Sequence, residues 1–293
     1  MEGWGPELAV IFGVVEGLTE FLPVSSTGHM ILVGHWLGFD GDIAASVEIS
    51  IQLGSVLAIM VYERSKIAMF LSRAWGEWSA FRALLGAGKA KGAAMSQILR
   101  ESAGLHAHLW FILGLGAAFV PAAAVGLMAH HWIVTHLFNP TTVAVSLIVG
   151  GFVLLLVEAR QRAPRVVALE QVGIRSALAV GLAQCLSLIP GTSRSGSTIV
   201  GGLLAGLDRK TATEYSFFLA LPTMLAATGY KLIKSRALLS ESDALALGLG
   251  LVVSFLVAWV VIAAFLAYVK KHSLRPFAYY RIVLGIVVLA FVA

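Results

Sequence analysis

Two carboxylates one helical turn apart, Glu16 and Glu20, open the segment EGLTEFLPVSSTGH at positions 16–29. On a helix they share a face. In apolar surroundings such a pair repels, and it persists by holding a proton, pairing with a cation or binding a divalent metal. An all-oxygen donor set suits Mg²⁺ or Ca²⁺ better than zinc, so Glu16 and Glu20 are the expected metal ligands. Pro23 stops the helix by removing a donor and by biasing its predecessor away from helical angles. Ser25, Ser26, Thr27 and Gly28 then offer hydroxyls and free amides at the start of a second helix. One of these residues can be a helix cap. Three hydroxyls beside two carboxylates suggest an anion cradle, since unpaired amides and the positive helix end attract phosphate. His29 adds a group that can act as nucleophile, base or acid near neutral pH.

A second segment, PGTSRSGST at positions 190–198, repeats the design with Arg194 in its turn. A guanidinium at membrane depth costs about 3 kcal/mol on insertion scales and calls for an anionic partner. Its planar fork suits two phosphate oxygens, and Gly191, Ser193, Ser195 and Thr198 are expected to complete a phosphate site together with Ser25 and Thr27. The segment is not a P-loop, because the lysine of that motif is missing and no strand precedes the turn. Together the two turns provide carboxylates, candidate nucleophiles and a positive clamp. That set fits phosphoryl transfer to water.

The elements that carry these turns are apolar. Of 293 residues, 58% are hydrophobic and 13% charged, with a mean hydropathy of +0.87; soluble domains carry about 25% charge. An all-α polytopic membrane protein follows, and the phosphate acted on is then lipid-borne. With Glu2 and no basic run ahead of the first apolar stretch, that stretch is expected to be membrane structure and not a cleaved leader. The lone Cys185 excludes an internal disulfide, and the net charge of +5 points to topology and lipid contact and not to nucleic acid.

Six transmembrane helices are expected at 44–62, 107–128, 141–157, 212–230, 244–268 and 277–291. Regions 8–38 and 174–207 are each interrupted by Pro, Gly, Ser and Thr. Each reads as two short helices around an irregular turn, a re-entrant hairpin, because non-helical backbone at membrane depth needs protein or a watery cavity around it. Arg64 to Arg100, Arg160 to Arg165 and Lys270 to Arg275 mark cytoplasmic connections and leave both termini outside, against which Lys231, Lys234 and Arg236 are exceptions.

Positions 13–40 slide onto 181–208 without a gap. Gly13 meets Gly181, Ser25 meets Ser193, Gly28 meets Gly196 and Asp40 meets Asp208, while Glu16 falls on Gln184. Repeat one then spans about 1–160 and repeat two about 170–293 of a single membrane domain. A hairpin plus three spans per repeat inverts the second repeat and brings both interruptions to one site near the midplane. Glu48, Gln52 and Glu214, also in apolar spans, are expected to support that site or link helices. The stretch 72–102 is basic and amphipathic enough to lie on the cytoplasmic surface.

The two motifs resemble the signatures of the bacterial undecaprenyl-diphosphate phosphatase family, also called bacitracin resistance protein BacA. The resemblance runs over essentially the whole chain, including ExxxQLGS at 48–55, LFNP at 137–140, EYSF at 214–217 and PFAxYR at 276–281. It implies hydrolysis of undecaprenyl diphosphate to undecaprenyl phosphate and phosphate, which recycles the lipid carrier of the cell wall and gives bacitracin resistance. It also implies an inner-membrane enzyme that uses a divalent cation, with a site toward the periplasm. Glu16 and Glu20 match the family's acidic pair, Ser26 and His29 its proposed catalytic serine and histidine, and Arg194, Ser193 and Thr198 its second motif. The nucleophile stays open between Ser26, His29 and a water activated by Glu20. A transporter or flippase of a phosphorylated lipid is the rival class, because inverted repeats with broken helices are common there. A homodimer is one assembly the sequence allows.

Overall fold

The computed structural model describes residues 5–38, 42–90, 92, 94–160, 163–235 and 244–291. Side chains at 42–46, 48–50, 89–90, 230–235 and 244 lie outside that description, and with them those of Glu48, Lys231 and Lys234. Asp40 and Arg236 also fall outside it.

The described chain is all-helical, with one isolated bridge between Val166 and Leu207 and no strand among the described residues. The first interrupted region forms α1 (Pro6–Thr19) and α2 (Ser26–Leu37). Pro6 opens α1, where its missing donor costs nothing. After α3 (Asp42–Tyr62), the basic stretch becomes two helices, α4 (Arg64–Ala90) and α5 (Met95–Leu105). The Glu77 carboxylate holds α4 to the helix that follows α5 by accepting from the Leu109 amide at 2.8 Å. Then follow α6 (Ala107–Leu137) and α7 (Pro140–Ala159), the latter capped by Asn139, whose Oδ1 accepts from the Thr142 amide at 2.8 Å.

The second interrupted region forms α8 (Ile174–Gln184), a 3-10 turn at Cys185–Leu188 and α9 (Arg194–Leu204). Helices α10 (Arg209–Ser235), α11 (Ala244–Val269) and α12 (Arg275–Phe291) complete the chain. Every stretch read as a span is helical. Among the described residues, three helices are long and apolar enough to cross a bilayer: Ala107–Leu137, Pro140–Ala159 and Leu245–Val269. Their outward side chains include Leu127, Met128, Leu245 and Val260, each more than two-thirds exposed. Continuous apolar surface of this kind belongs against lipid.

Packing brings the two interrupted regions into register. Helix α1 lies against α11, α8 against α6, and α12 against α7. The α1–α11 contact is close because Gly13 and Gly17 face the Gly250 and Ser254 carbonyls, where a Cβ would sit 2.7 and 2.9 Å from oxygen. The main core gathers Phe21, Phe70, Phe111, Tyr215, Phe217 and Phe265 between the two turns and the α4–α6 side.

Candidate active site

Each turn ends on a serine in an unusual backbone state. Ser25 has φ 72° and Ser193 φ 73°, the only non-glycine residues with positive φ among those described. Strain of this order persists only where surrounding contacts enforce it, often at functional sites. Both serines cap the helix that follows: Ser25 Oγ accepts from the Gly28 amide at 3.3 Å and Ser193 Oγ from the Gly196 amide at 3.0 Å. In the second turn Gly191, at φ 88°, approaches the Val143 carbonyl so closely that a Cβ would lie 2.5 Å from it.

Between the turns lies a cavity of about 210 Å³. Glu20, Ser25, Ser26 and Thr27 line it from one side, Gly191, Ser193 and Arg194 from the other. Gln52 and Thr223 come from α3 and α10. Glu20 is the hub. Its Oε1 pairs with Arg194 Nη2 at 2.9 Å, and its Oε2 accepts from Ser26 Oγ at 2.5 Å. Arg194 Nη1 donates to the Ser216 carbonyl at 3.3 Å, and the guanidinium stands 5.8 Å from the centre of the Phe21 ring. Its buried Nε has no hydrogen-bond partner. A buried donor without an acceptor is costly.

Other expected site residues lie off the cavity. His29 is held one turn further along α2, with Nδ1 2.7 Å from the Ser25 carbonyl and Nε2 2.7 Å from the Tyr280 hydroxyl. A carbonyl only accepts, so Nδ1 carries a proton, and in that neutral tautomer Nε2 accepts from Tyr280. Tyr280 also stacks on the imidazole, with centroids 5.6 Å apart. Ser195 spends its hydroxyl on the Leu22 carbonyl at 2.7 Å, tying the second turn to the first. Thr198 lies inside the fold, 2.6 Å from Ser216 Oγ and 2.9 Å from the Arg194 carbonyl. Glu16 is buried one turn before Glu20 and does not line the cavity.

Among the described residues no three His, Cys, Asp or Glu side chains come together. Of the two carboxylates only Glu20 lines the cavity, so a Mg²⁺-like ion there would take most of its ligands from substrate phosphates and water, and not from an all-protein cage. Gln52 reaches the cavity, as expected of a supporting group. Glu214 instead shares Lys66 with Glu63, at 3.1 Å from each. Burial lowers the pKa of that ammonium, but Glu214 and then Glu63 lift it above its ordinary value.

Arg281, which ends the PFAxYR stretch, ties the two turns together without lining the cavity. Only 2% exposed, it donates to the Pro23 carbonyl at 3.2 Å in the first turn and to the Gly191 and Thr192 carbonyls at 3.2 and 2.9 Å in the second. Further bonds reach the Ser146 and Leu147 carbonyls of α7 at 3.3 and 3.4 Å. Gly196 leaves it room, since a Cβ there would stand 2.8 Å from Nη1. One side chain from α12 thus fastens both turns to α7.

Residues 9–287 match the family described as bacitracin resistance protein BacA. An undecaprenyl-diphosphatase of Polaromonas naphthalenivorans is 48% identical over 286 residues, covering 96% of this chain and 93% of that protein. One from Ectopseudomonas mendocina is 44% identical over 294 residues, covering 99% and 95%. Another, from Caldanaerobacter subterraneus, is 42% identical over 287 residues, covering 97% and 95%. With a match that takes in both turns, Tyr280 and Arg281, the chain belongs to the bacitracin resistance protein BacA family.

Proposed function

We propose that the chain hydrolyses undecaprenyl diphosphate to undecaprenyl phosphate and inorganic phosphate in the cavity between the two turns. The observation that carries this reading is Glu20, paired at once with Arg194 and with Ser26. The names of the relatives add the substrate.

The terminal phosphate enters with its charge toward Arg194, whose outer nitrogens grip it beside Glu20. Phosphate oxygens compete with Glu20 for the guanidinium and release the carboxylate to act as a base. Ser26 Oγ then attacks the terminal phosphorus while its proton passes to Glu20. The bond from phosphorus to the bridging oxygen breaks, and undecaprenyl phosphate departs. Water next attacks the phosphoserine, and Ser26 recovers its proton. The starts of α2 and α9, entered through Ser25 and Ser193 at the cavity wall, place the positive ends of both helices beside the developing charge. His29 holds the Ser25–Ser26 turn through the Ser25 carbonyl, with Tyr280 behind it. A divalent cation, Mg²⁺ or Ca²⁺, would be held by Glu20 at the cavity, with Glu16 one turn behind it, and would neutralise diphosphate charge.

In this reading the chain is one inner-membrane domain with six spans, its two interrupted regions being re-entrant hairpins of an inverted repeat. The matched caps at Ser25 and Ser193 support the repeat. The basic connections at 160–165 and 270–275 support a cytoplasmic side, and so a cavity opening toward the periplasm. The substrate reaches it from the bilayer, alongside other membrane lipids, and a homodimer is compatible with the outer helices.

The test is phosphate release from undecaprenyl diphosphate by the purified chain in detergent, with and without chelator. Detergent removes sidedness, so a transporter releases nothing while a phosphatase does. Hydrolysis that stops with chelator and returns with Mg²⁺ or Ca²⁺ supports the full reading. No release under any condition favours a transporter.

A further inference from the structure

At the far end of α9 from Arg194 lies a second and larger cavity, about 850 Å³, built from the ends of α7, α9, α10 and α11. The eleven residues of α9 place it roughly 15 Å from the candidate active site along that helix. Five cations, Arg160, Arg165, Arg209, Lys210 and Lys270, line it. Two carboxylates offset them. Glu158 binds Arg209 through two contacts of 2.8 Å, and Asp208 accepts from the Thr211 amide at 2.8 Å to cap α10. That leaves a surplus of three positive charges.

The wall beneath the cations is apolar and open: Leu204 is 68% exposed and Leu156 49%. The rim is fixed by the backbone. The Arg165 amide donates to the Gly206 carbonyl at 2.8 Å and the Asp208 amide to the Val166 carbonyl at 3.0 Å, so the chain between α7 and α8 is fastened across the end of α9. Basic residues scattered on loops orient a membrane protein without forming a cavity. Here they converge over exposed leucines at helix ends, an arrangement complementary to a lipid whose head is anionic and whose tail lies along the helices.

We propose that this groove binds the headgroup phosphate of an anionic bilayer phospholipid, with its acyl chain along Leu156 and Leu204. Arg160, Lys210 and Lys270 supply the charge, whereas Arg209 is committed to Glu158. The site does not depend on the reaction assigned to the other cavity. Each basic residue near a lipid phosphate contributes about 1 kcal/mol, so removing three weakens binding roughly a hundredfold.

The experiment is native mass spectrometry of the purified full-length chain in detergent, titrated with phosphatidylglycerol or phosphatidylcholine. The wild type is compared with a variant carrying Arg160→Gln, Lys210→Gln and Lys270→Gln. The expected result is phosphatidylglycerol retained by the wild type, much weaker retention by the variant and weak phosphatidylcholine binding to both, with the variant's thermal midpoint and phosphate release in detergent unchanged. If the triple variant fails to fold, Lys270→Gln, at an exposed position, carries the comparison with roughly a fivefold loss. Equal retention of the two lipids, or undiminished phosphatidylglycerol binding by the variant, overturns the proposal. So does displacement of phosphatidylglycerol by inorganic phosphate or by undecaprenyl phosphate at lower concentration, which assigns the groove to that ligand instead.

Discussion

Glu20 and Arg194 stand 174 residues apart in the chain and 2.9 Å apart in the fold, a buried ion pair between the two interrupted regions. Removing one partner of such a pair leaves the other charge uncompensated and costs about 3–5 kcal/mol, whereas removing both is much milder. Glu20→Gln and Arg194→Gln should each lower the thermal midpoint in detergent, and the double variant should recover much of that loss without recovering phosphate release. Additive destabilisation in the double variant would mean that the pair does not hold the turns together.

Ser25 and Ser26 are neighbours with different work. Ser25 caps α2, and its loss should cost about 1 kcal/mol of stability. Ser26 faces Glu20 in the cavity, so Ser26→Ala should reduce phosphate release by at least roughly a thousandfold while the midpoint changes little. Rapid quenching of the wild type with labelled substrate should trap a phosphoserine at Ser26. A variant lacking that hydroxyl but turning over within tenfold of wild type would assign the attack to water.

For the histidine, the two hydrogen bonds give an ordering. His29→Ala removes the brace on the Ser25 carbonyl beside Ser26, and misplacing that turn should cost at least about a hundredfold in kcat/KM. Tyr280→Phe removes only the outer bond and keeps the stacked ring, so the loss should be about tenfold or less. Equal losses would place Tyr280 in the chemistry itself.

Arg281 donates to carbonyls of both turns and of α7, and its removal orphans several buried acceptors at about 1–3 kcal/mol each. Arg281→Met should lower the thermal midpoint more than any single change in the cavity, and should lower kcat together with stability because the turns lose their common anchor. Thermal unfolding followed by intrinsic tryptophan fluorescence in detergent measures the first effect. An unchanged midpoint would show that the turns hold each other without Arg281.

Much of this arrangement was legible in the sequence because proline, glycine and clustered hydroxyls interrupt an apolar chain at Pro23 and Pro190, and an interruption in a bilayer needs a reason. That Arg194 needs an anionic partner was legible too, but phosphate was the partner expected; in the fold Glu20 takes that place. Arg281 was not, because its partners are main-chain carbonyls, which carry no sequence signal. Thr198 was expected at the phosphate site from its place in the motif; its hydroxyl is used by Ser216 and the preceding helical turn, and residue type alone cannot show which way a helix faces. Hydropathy placed α6 at 107–128, but the helix continues to Leu137 through His130, His131 and His136, since apolarity marks the bilayer and not the helix end.

The central claim is that Glu20 and Arg194 form a hydrolytic centre for a lipid diphosphate. The most direct measurement is phosphate release from undecaprenyl diphosphate in detergent by the wild type, Glu20→Ala and Arg194→Ala, each checked for a cooperative thermal transition. The expected result is one phosphate released per undecaprenyl phosphate formed by the wild type and at least a thousandfold less by either folded variant. Near-normal turnover by folded Arg194→Ala would contradict it.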